Sequence, residues 1–283
     1  MDIVHTVAEL RARLKMETQI AFVPTMGSLH AGHLDLMRIA RDQAGRKSAT
    51  KSCVVVSIFV NRLQFGPKED FGKYPRTLND DCDKCRATGV DVVFAPDESE
   101  MYPEPQTYVV EPPDIQHILE GAVRPGHYRG VVTVVLKLFN MVQPQVALFG
   151  KKDYQQCRVL DNMVRQLNLP IDMLLAETVR ADDGLALSSR NGYLTATERT
   201  EAPQLNAALR EIVAALQSGN REYMALEAKA QTTLGARGWR PDYVTIRRQS
   251  DLLPPTADDH ALVVLAAARI GATRLIDNLE VSI

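Results

Sequence analysis

The segment Phe22-Val-Pro-Thr-Met-Gly-Ser-Leu-His30-Ala-Gly-His33-Leu34 places two imidazoles three residues apart among small residues. A strand is expected to end near Pro24, a Gly-containing turn to follow, and a helix to start near Gly32 or His33. In open parallel sheets, ligands rest at the carboxyl ends of strands, often against the N-terminus of the next helix. His30 and His33 would then aim ring N–H groups where a phosphate could rest, and Gly32 would let a ligand approach the backbone. On spacing alone two other readings stand: two surface histidines in a loop, or two metal ligands with no obvious third. Neither a GxGxxG loop nor a GxxxxGK loop followed by Ser or Thr occurs in the chain.

Further segments repeat this arrangement. Asn61 and Gln64 lie where a second apolar run leaves the sheet, on the same edge as the histidines. Neutral amides suit a ligand bearing hydroxyl and carboxylate groups, although they also bond their own loop backbone. After a later apolar run, Gly150 permits a tight exit and Lys152 can reach a phosphate. Asp153, at a helix start, either caps that helix or accepts a ribose hydroxyl. Ser188, Ser189 and Arg190 fit a mobile clamp over a triphosphate, or a solvated linker. Glu120, Arg124, His127 and Arg129 precede a helix and read as a structural loop with a salt bridge. Cys82 and Cys85 fall inside a helical pattern with no second pair, so they read as half-buried thiols rather than a zinc or redox site.

The elements that must hold these groups fall into two parts. Residues 20–24, 53–60, 90–95 and 146–150 are apolar almost throughout, as in strands of parallel sheets covered on both faces. Helical patterns at 34–44, 79–88 and 131–142 separate them, which predicts a doubly wound α/β domain. After a polar stretch at 180–193, the spacing predicts one long helix over 195–216, with Thr195 and Glu198 as a capping box. A helix over 222–235 and strands at 243–247, 262–268 and 274–276 complete a smaller α+β domain. The expected boundary divides 1–177 from 178–283.

Composition excludes several classes. With 283 residues, 45% hydrophobic and 24% charged, the chain can bury a full core and is no disordered, collagen-like or coiled-coil protein. Its net charge of −2 argues against a nucleic-acid partner, and Arg46, Lys47 and Lys51 read as a solvated loop. The longest apolar runs, 53–60 and 261–268, fall far short of the ~20 residues that span a bilayer. No basic-then-apolar signal peptide is visible, and four cysteines are too few for a disulfide scaffold, so a cytoplasmic setting is expected.

Together, and in this order, the clusters resemble the pantoate–β-alanine ligase family of the HxGH nucleotidyltransferase superfamily. The matching segments are Pro24-Thr-Met-Gly-x-Leu-His30-x-Gly-His33, Ser57-Ile-Phe-Val-Asn61-x-x-Gln64-Phe65, Tyr74-Pro-Arg-Thr77 and Glu120-Gly-x-x-Arg124-Pro-Gly-His127. Lys152-Asp-Tyr-Gln-Gln156, Gly184-Leu-Ala-Leu-Ser-Ser-Arg-Asn191 and Arg274-Leu-Ile-Asp-Asn278 extend the match over about residues 20 to 280.

The resemblance implies a Rossmann-like domain binding nucleotide and pantoate over 1–177, and a C-terminal lid over 178–283. It also implies condensation of pantoate with β-alanine at the expense of ATP, giving pantothenate, AMP and pyrophosphate through an enzyme-bound pantoyl adenylate. His30 and His33 would contact the ATP phosphates, Lys152 would stabilise charge at the reacting phosphoryl group, and Ser188, Ser189 and Arg190 match the family's KMSKS clamp. Gly150 and Asp153 match ribose-side contacts, and Met26, Gly32, Val179 and Leu187 join the ATP-binding set. Met26, Gln64 and Gln156 match pantoate-binding positions, with Asn61 nearby. Family members are usually homodimers and use Mg2+ held largely by ATP, with no protein metal site implied.

Three positions depart from the family pattern. Leu187 stands where methionine is common and keeps an apolar contact for adenine. Arg62 stands for a usual proline and Lys151 for a usual glutamate, adding positive charge beside the expected pocket. The polar stretch 41–53 reads as a longer connection than the fold needs. Two other functions compete: a nucleotidyltransferase adenylylating a phosphorylated small molecule, and a non-catalytic nucleotide-binding module. The first would call for more cations in place of Gln64 and Gln156.

Overall fold

The four apolar runs become strands of one parallel sheet in the computed structural model, which describes residues 1–46, 52–67 and 69–283. The chain divides into two compact units, Met1–Lys151 with Val159–Glu177, and Lys152–Arg158 with Thr178–Ile283. In chain order the first elements are β1 (Asp2–Val4), α1 (Val7–Leu14), β2 (Gln19–Thr25), α2 (Ala31–Arg46) and β3 (Ser52–Ile58). Next come α3 (Leu78–Ala87), β4 (Val92–Phe94), α4 (Glu98–Met101), α5 (Glu120–Val123), α6 (His127–Val142), β5 (Val146–Gly150), α7 (Tyr154–Gln166) and β6 (Asp172–Ala176).

The strands lie in the order β1-β4-β3-β2-β5-β6, all parallel. From β2 the chain first builds outward through β3 and β4, then crosses to β5 and β6 on the other side. The switch point between β2 and β5 is where such sheets open a crevice at their carboxyl edge. Both faces are covered, which is why the strands lack polar alternation. Ala21 and Val23 of β2 join Met37 and Ala40 of α2 and Cys85 of α3 in one cluster. On the opposite face, Phe22 meets Phe139 of α6 edge-on with ring centroids 6.3 Å apart, and Phe139 meets Phe149 of β5 at 6.5 Å. Each fully buried side chain of this size contributes about 1.5–3 kcal/mol.

The second unit holds α8 (Ala196–Glu201), α9 (Gln204–Gln217) and α10 (Tyr223–Ala236) with β7 (Arg240–Arg248), β8 (Ala261–Ile270) and β9 (Thr273–Ser282). The strands form an antiparallel sheet in the order β7-β8-β9. Leu205, Leu209, Ile212 and Leu216 of α9 share a core with Ile246, Val264 and Leu275.

The single helix expected over 195–216 is two, because Pro203 supplies no N–H and crowds the residue before it. Thr195 and Glu198 do form the capping box that opens α8. The third strand of the small sheet runs over ten residues rather than 274–276. Two strands escaped the reading: β1, three residues long, and β6, an edge strand that no apolar run announces. Cys82 and Cys85 are fully rather than half buried, because both point from α3 into the sheet; burial pushes the Cys85 thiol up to about 12. Of the 41–53 connection, 41–46 belongs to α2 and β3 begins at Ser52, while Lys47 and Lys51 lie outside the described residues.

Candidate active site

Beyond β2 the chain must reverse within a few residues to start α2. It does so through Gly27 at φ 78° and Ser28 at φ 52°, both left-handed. Asp81, fully buried in the first turn of α3, accepts the backbone N–H of Ser28 at 2.9 Å and of Leu29 at 2.8 Å. It also takes the Thr77 hydroxyl at 3.0 Å, and Lys84 donates to the Leu29 carbonyl at 3.0 Å. The turn is therefore pinned from below by α3.

That pinning delivers the histidines. Their ring centroids lie 4.1 Å apart with planes tilted by 41°. His33 Nδ1 accepts the His30 backbone N–H, and His30 Nδ1 accepts the Gly32 N–H, each at 3.2 Å. A neutral ring with Nδ1 occupied as acceptor carries its proton on Nε2, and Nε2 is then a donor. The helix thus starts at Ala31, slightly before the expected position, with His30 just ahead of it and His33 on its first turn.

Next to this turn, β3 runs parallel to β2 with Thr25 opposite Ile58. Where β3 ends, Asn61 caps a short 3-10 turn, Arg62–Gln64. Gln64 Nε2 donates to the Met26 sulfur at 3.3 Å, and Asn61 Nδ2 donates to Gln64 Oε1 at 3.0 Å. Three of the residues matched to pantoate, Met26, Gln64 and Asn61, are therefore linked directly. Asn61 is 1% exposed, and its amide is fully engaged: it donates also to the Gly130 carbonyl and accepts from Leu63 N and the Tyr102 hydroxyl. A ligand contact at Asn61 requires one of these bonds to be exchanged.

The wall behind Gln64 is held by the loop read as structural. Arg124 binds Glu69 through Nε at 2.5 Å and Nη2 at 2.8 Å. His127 bonds the Gln64 carbonyl through Nδ1 at 2.9 Å, and its Nε2 faces Arg124 Nη1 at 3.0 Å. A carbonyl only accepts and a guanidinium only donates, so this ring is the Nδ1–H tautomer. Burial, reinforced by the Arg124 charge, pushes His127 down to about 4.

The two unusual cations do not face the site unpaired. Arg62 reaches Glu98 at 2.8 Å, and Lys151 reaches Glu177 at 2.5 Å. The added charge expected beside the pocket is thereby offset by neighbouring carboxylates.

Gly150, half-buried, ends β5 across the switch point from the histidine turn. The remaining matched residues belong to the second unit. Lys152 and Asp153 form the 3-10 turn that opens α7, on which half-buried Gln156 lies. Asp153 is exposed and makes no capping bond among the described residues, so the capping role read for it is absent here. Residues 179–187 form a small hairpin: Leu187 N donates to the Val179 carbonyl at 3.0 Å, and Arg180 pairs with Ala186. Gly184, Leu185 and Ala186 are buried, so this is no solvated linker. Ser188 then caps a short 3-10 helix, Ser189–Tyr193, accepting from Arg190 N at 3.2 Å.

Asp81 and Glu69 escaped the sequence reading. Asp81 is one of a pair of aspartates in a helix start, which read as helix-terminus charges, and Glu69 lies in a polar loop; neither has spacing that betrays its distant partner. Among the described residues no cluster of three His, Cys, Asp or Glu is placed to hold a metal.

Comparison with known proteins agrees with this geometry. The family described as pantoate-beta-alanine ligase matches residues 2–280. Pantothenate synthetase of Leptothrix cholodnii is 58% identical, covering 99% of this chain and 100% of its own, and that of Nitrosomonas europaea is 55% identical, covering 98% of each. The crystal structure of pantothenate synthetase from Thermus thermophilus superposes with a TM-score of 0.93 at 45% identity over 100% of both chains. A pantoate-beta-alanine ligase from Francisella tularensis, solved as a complex with beta-gamma ATP and beta-alanine, gives 0.82 at 31% identity over 99% and 97%. With the match running nearly end to end and the linked histidine and amide turns lying inside it, the chain belongs to the pantoate-β-alanine ligase family.

Proposed function

We propose that the protein joins pantoate to β-alanine, converting ATP to AMP and pyrophosphate through a pantoyl adenylate. The observation that carries this reading is the neutral cluster of Met26, Gln64 and Asn61 beyond the paired ends of β2 and β3, with the paired imidazoles on the turn that leaves β2. Imidazole donors suit phosphate oxygens, and amides suit a hydroxy acid; an acceptor bearing its own phosphate would call for cations there.

The chemistry needs little more than placement and charge stabilisation. Pantoate's carboxylate is ionised at neutral pH, so its attack on the α-phosphorus requires no general base. What accelerates the step is alignment and donors aimed at the oxygens that gain charge. His30 and His33 are proposed to supply Nε2–H donors to the ATP phosphates, and Lys152, Ser188, Ser189 and Arg190 the cationic and hydroxyl donors. Gln64 and Gln156, with Met26 and Asn61, are proposed to hold pantoate. Gly32, Gly150, Asp153, Val179 and Leu187 are proposed to line the nucleotide's path. The mixed anhydride must be kept from water, and residues 178–283 are proposed as the lid that does so, with 1–177 as the binding domain. Mg2+ is proposed to arrive on the ATP phosphates, where it would offset their charge.

A homodimer is proposed on the family resemblance alone. A cytoplasmic setting is proposed on that resemblance and on four buried cysteines that form no disulfide. No helix among the described residues is long and apolar enough to cross a membrane.

The test is to mix protein, ATP and pantoate with and without β-alanine. AMP release that depends on the amine is the expected result; no AMP release with pantoate and β-alanine both present, beside adenylylation of a phosphorylated acceptor added in their place, would overturn the proposal.

A further inference from the structure

The segment Arg274-Leu-Ile-Asp-Asn278 has no role in the chemistry above, yet its last two residues are both buried, at 4% and 5% exposure. On a strand, neighbours point to opposite faces. Two adjacent buried polar side chains therefore mean that β9 is covered on both sides by polar partners at this point.

Asp277 takes one side. It receives Arg180 Nη1 at 2.7 Å and Nη2 at 2.8 Å, Asn206 Nδ2 at 2.9 Å and the Asn278 backbone N–H at 2.7 Å. Four donors occupy the roughly four lone-pair sites of a carboxylate, so Asp277 is saturated as a structural anchor. Its partner Arg180 also donates to the Asn278 carbonyl at 3.0 Å and to the Gly184 carbonyl at 3.1 Å. Arg180 thereby ties the 179–187 hairpin to β9, and that hairpin leads straight into Ser188.

Asn278 takes the other side. Its Nδ2 donates to the Lys152 carbonyl at 2.9 Å, across 126 residues of sequence. Two residues on, and so on the same face, Glu280 accepts the Tyr154 hydroxyl at 2.7 Å. The 3-10 turn that carries Lys152 is held by this face of β9, while the other face holds the root of the Ser188–Arg190 segment.

We propose that Asn278 is a positioning residue for Lys152: its amide fixes the backbone from which the ammonium reaches, in register with the hairpin that Asp277 anchors through Arg180. This rests on the function proposed above, in which Lys152 meets the reacting phosphoryl group. A long side chain reaches a fixed point only from a fixed root, and a shift of ~1 Å in a placed group can cost as much as 10²-fold in rate.

The experiment is a double-mutant cycle on Asn278→Ala and Lys152→Ala, read by AMP release and by thermal unfolding. Asn278→Asp runs beside it, since it keeps the shape but faces the carbonyl with an acceptor and serves if the alanine variant folds poorly. The expected result is a kcat loss on the order of tenfold for either Asn278 variant, with KM for pantoate within about twofold. The pair Asn278→Ala, Lys152→Ala should be no slower than Lys152→Ala alone. Losses that multiply, or normal kcat in both Asn278 variants beside a crippled Lys152→Ala, overturn the inference and leave the proposed function intact. Normal turnover in Lys152→Ala itself removes the lysine from the chemistry, and the inference falls with that part of the proposed function.

Discussion

Asp81 accepts the backbone N–H of Leu29 at 2.8 Å across 52 residues of sequence, so the first turn of α3 sets the turn that launches the paired histidines. The carboxylate is fully buried and holds three donors. Asp81→Asn must turn an NH2 group toward one of them. Hydrogen bonds to buried charged groups contribute about 1.5–3 kcal/mol, so a loss near 2 kcal/mol is expected in urea unfolding. Turnover should fall too, because the imidazoles lose their footing. An unchanged unfolding midpoint with normal kcat would show that the turn holds its shape unaided.

His33→Ala and Lys152→Ala test the proposed centre directly. Removing a donor aimed at charge that develops in the transition state typically costs 10²-fold or more in kcat. Both variants should unfold near the parent temperature, since His33 and Lys152 are only half-buried and lie outside the main clusters. If AMP release under saturating ATP and pantoate stays close to normal in each, the chemistry is centred elsewhere.

How far the sequence discloses this arrangement depends on the range over which each signal acts. Phe22, Val54 and Val146 announce covered parallel strands because burial on two faces leaves no room for polar alternation. His30, His33, Asn61 and Gln64 are legible because they sit a few residues past such strands, where open sheets bind ligands. Asp81, Glu69 and Asp277 are not, since each acts on a partner 52 to 97 residues away and nothing local marks the pairing. The break between α8 and α9 was visible in Pro203, but the apolar periodicity runs across it and conceals the stop.

Gly130 on α6 is where the helix passes closest to the turn bearing Gln64. A Cβ there would lie 2.2 Å from the Leu63 carbonyl oxygen and 2.7 Å from the Gln64 nitrogen. Both obstacles are backbone and cannot rotate away. Gly130→Ala must push the turn outward, at about 1–3 kcal/mol in overpacking, and it carries Gln64 and the Asn61 bond to the Gly130 carbonyl with it. If Gln64 holds pantoate, the KM for pantoate should rise by on the order of tenfold while that for β-alanine changes little. A variant with wild-type KM for pantoate would place that substrate away from Gln64.

His127 gives the pH test. Its folded-state value of about 4 lies below the usual histidine value near 6.5. The unfolded chain therefore binds the proton first as pH falls. The stability from keeping this ring neutral is fully present above about pH 6.5 and is lost as pH drops toward 4. Between pH 7 and pH 5 the loss should come to about 2 kcal/mol. Glu69, held below the usual carboxylate range by the Arg124 guanidinium against the effect of its own burial, loses its contribution only at lower pH, so this window reports the imidazole. His127→Asn keeps a donor within reach of the Gln64 carbonyl but cannot titrate. Urea midpoints measured at both pH values should converge in the variant relative to the parent. An equal acid shift in the two proteins would mean that protonating His127 does not oppose folding, and that the Gln64 wall is secured by Arg124 and Glu69 alone.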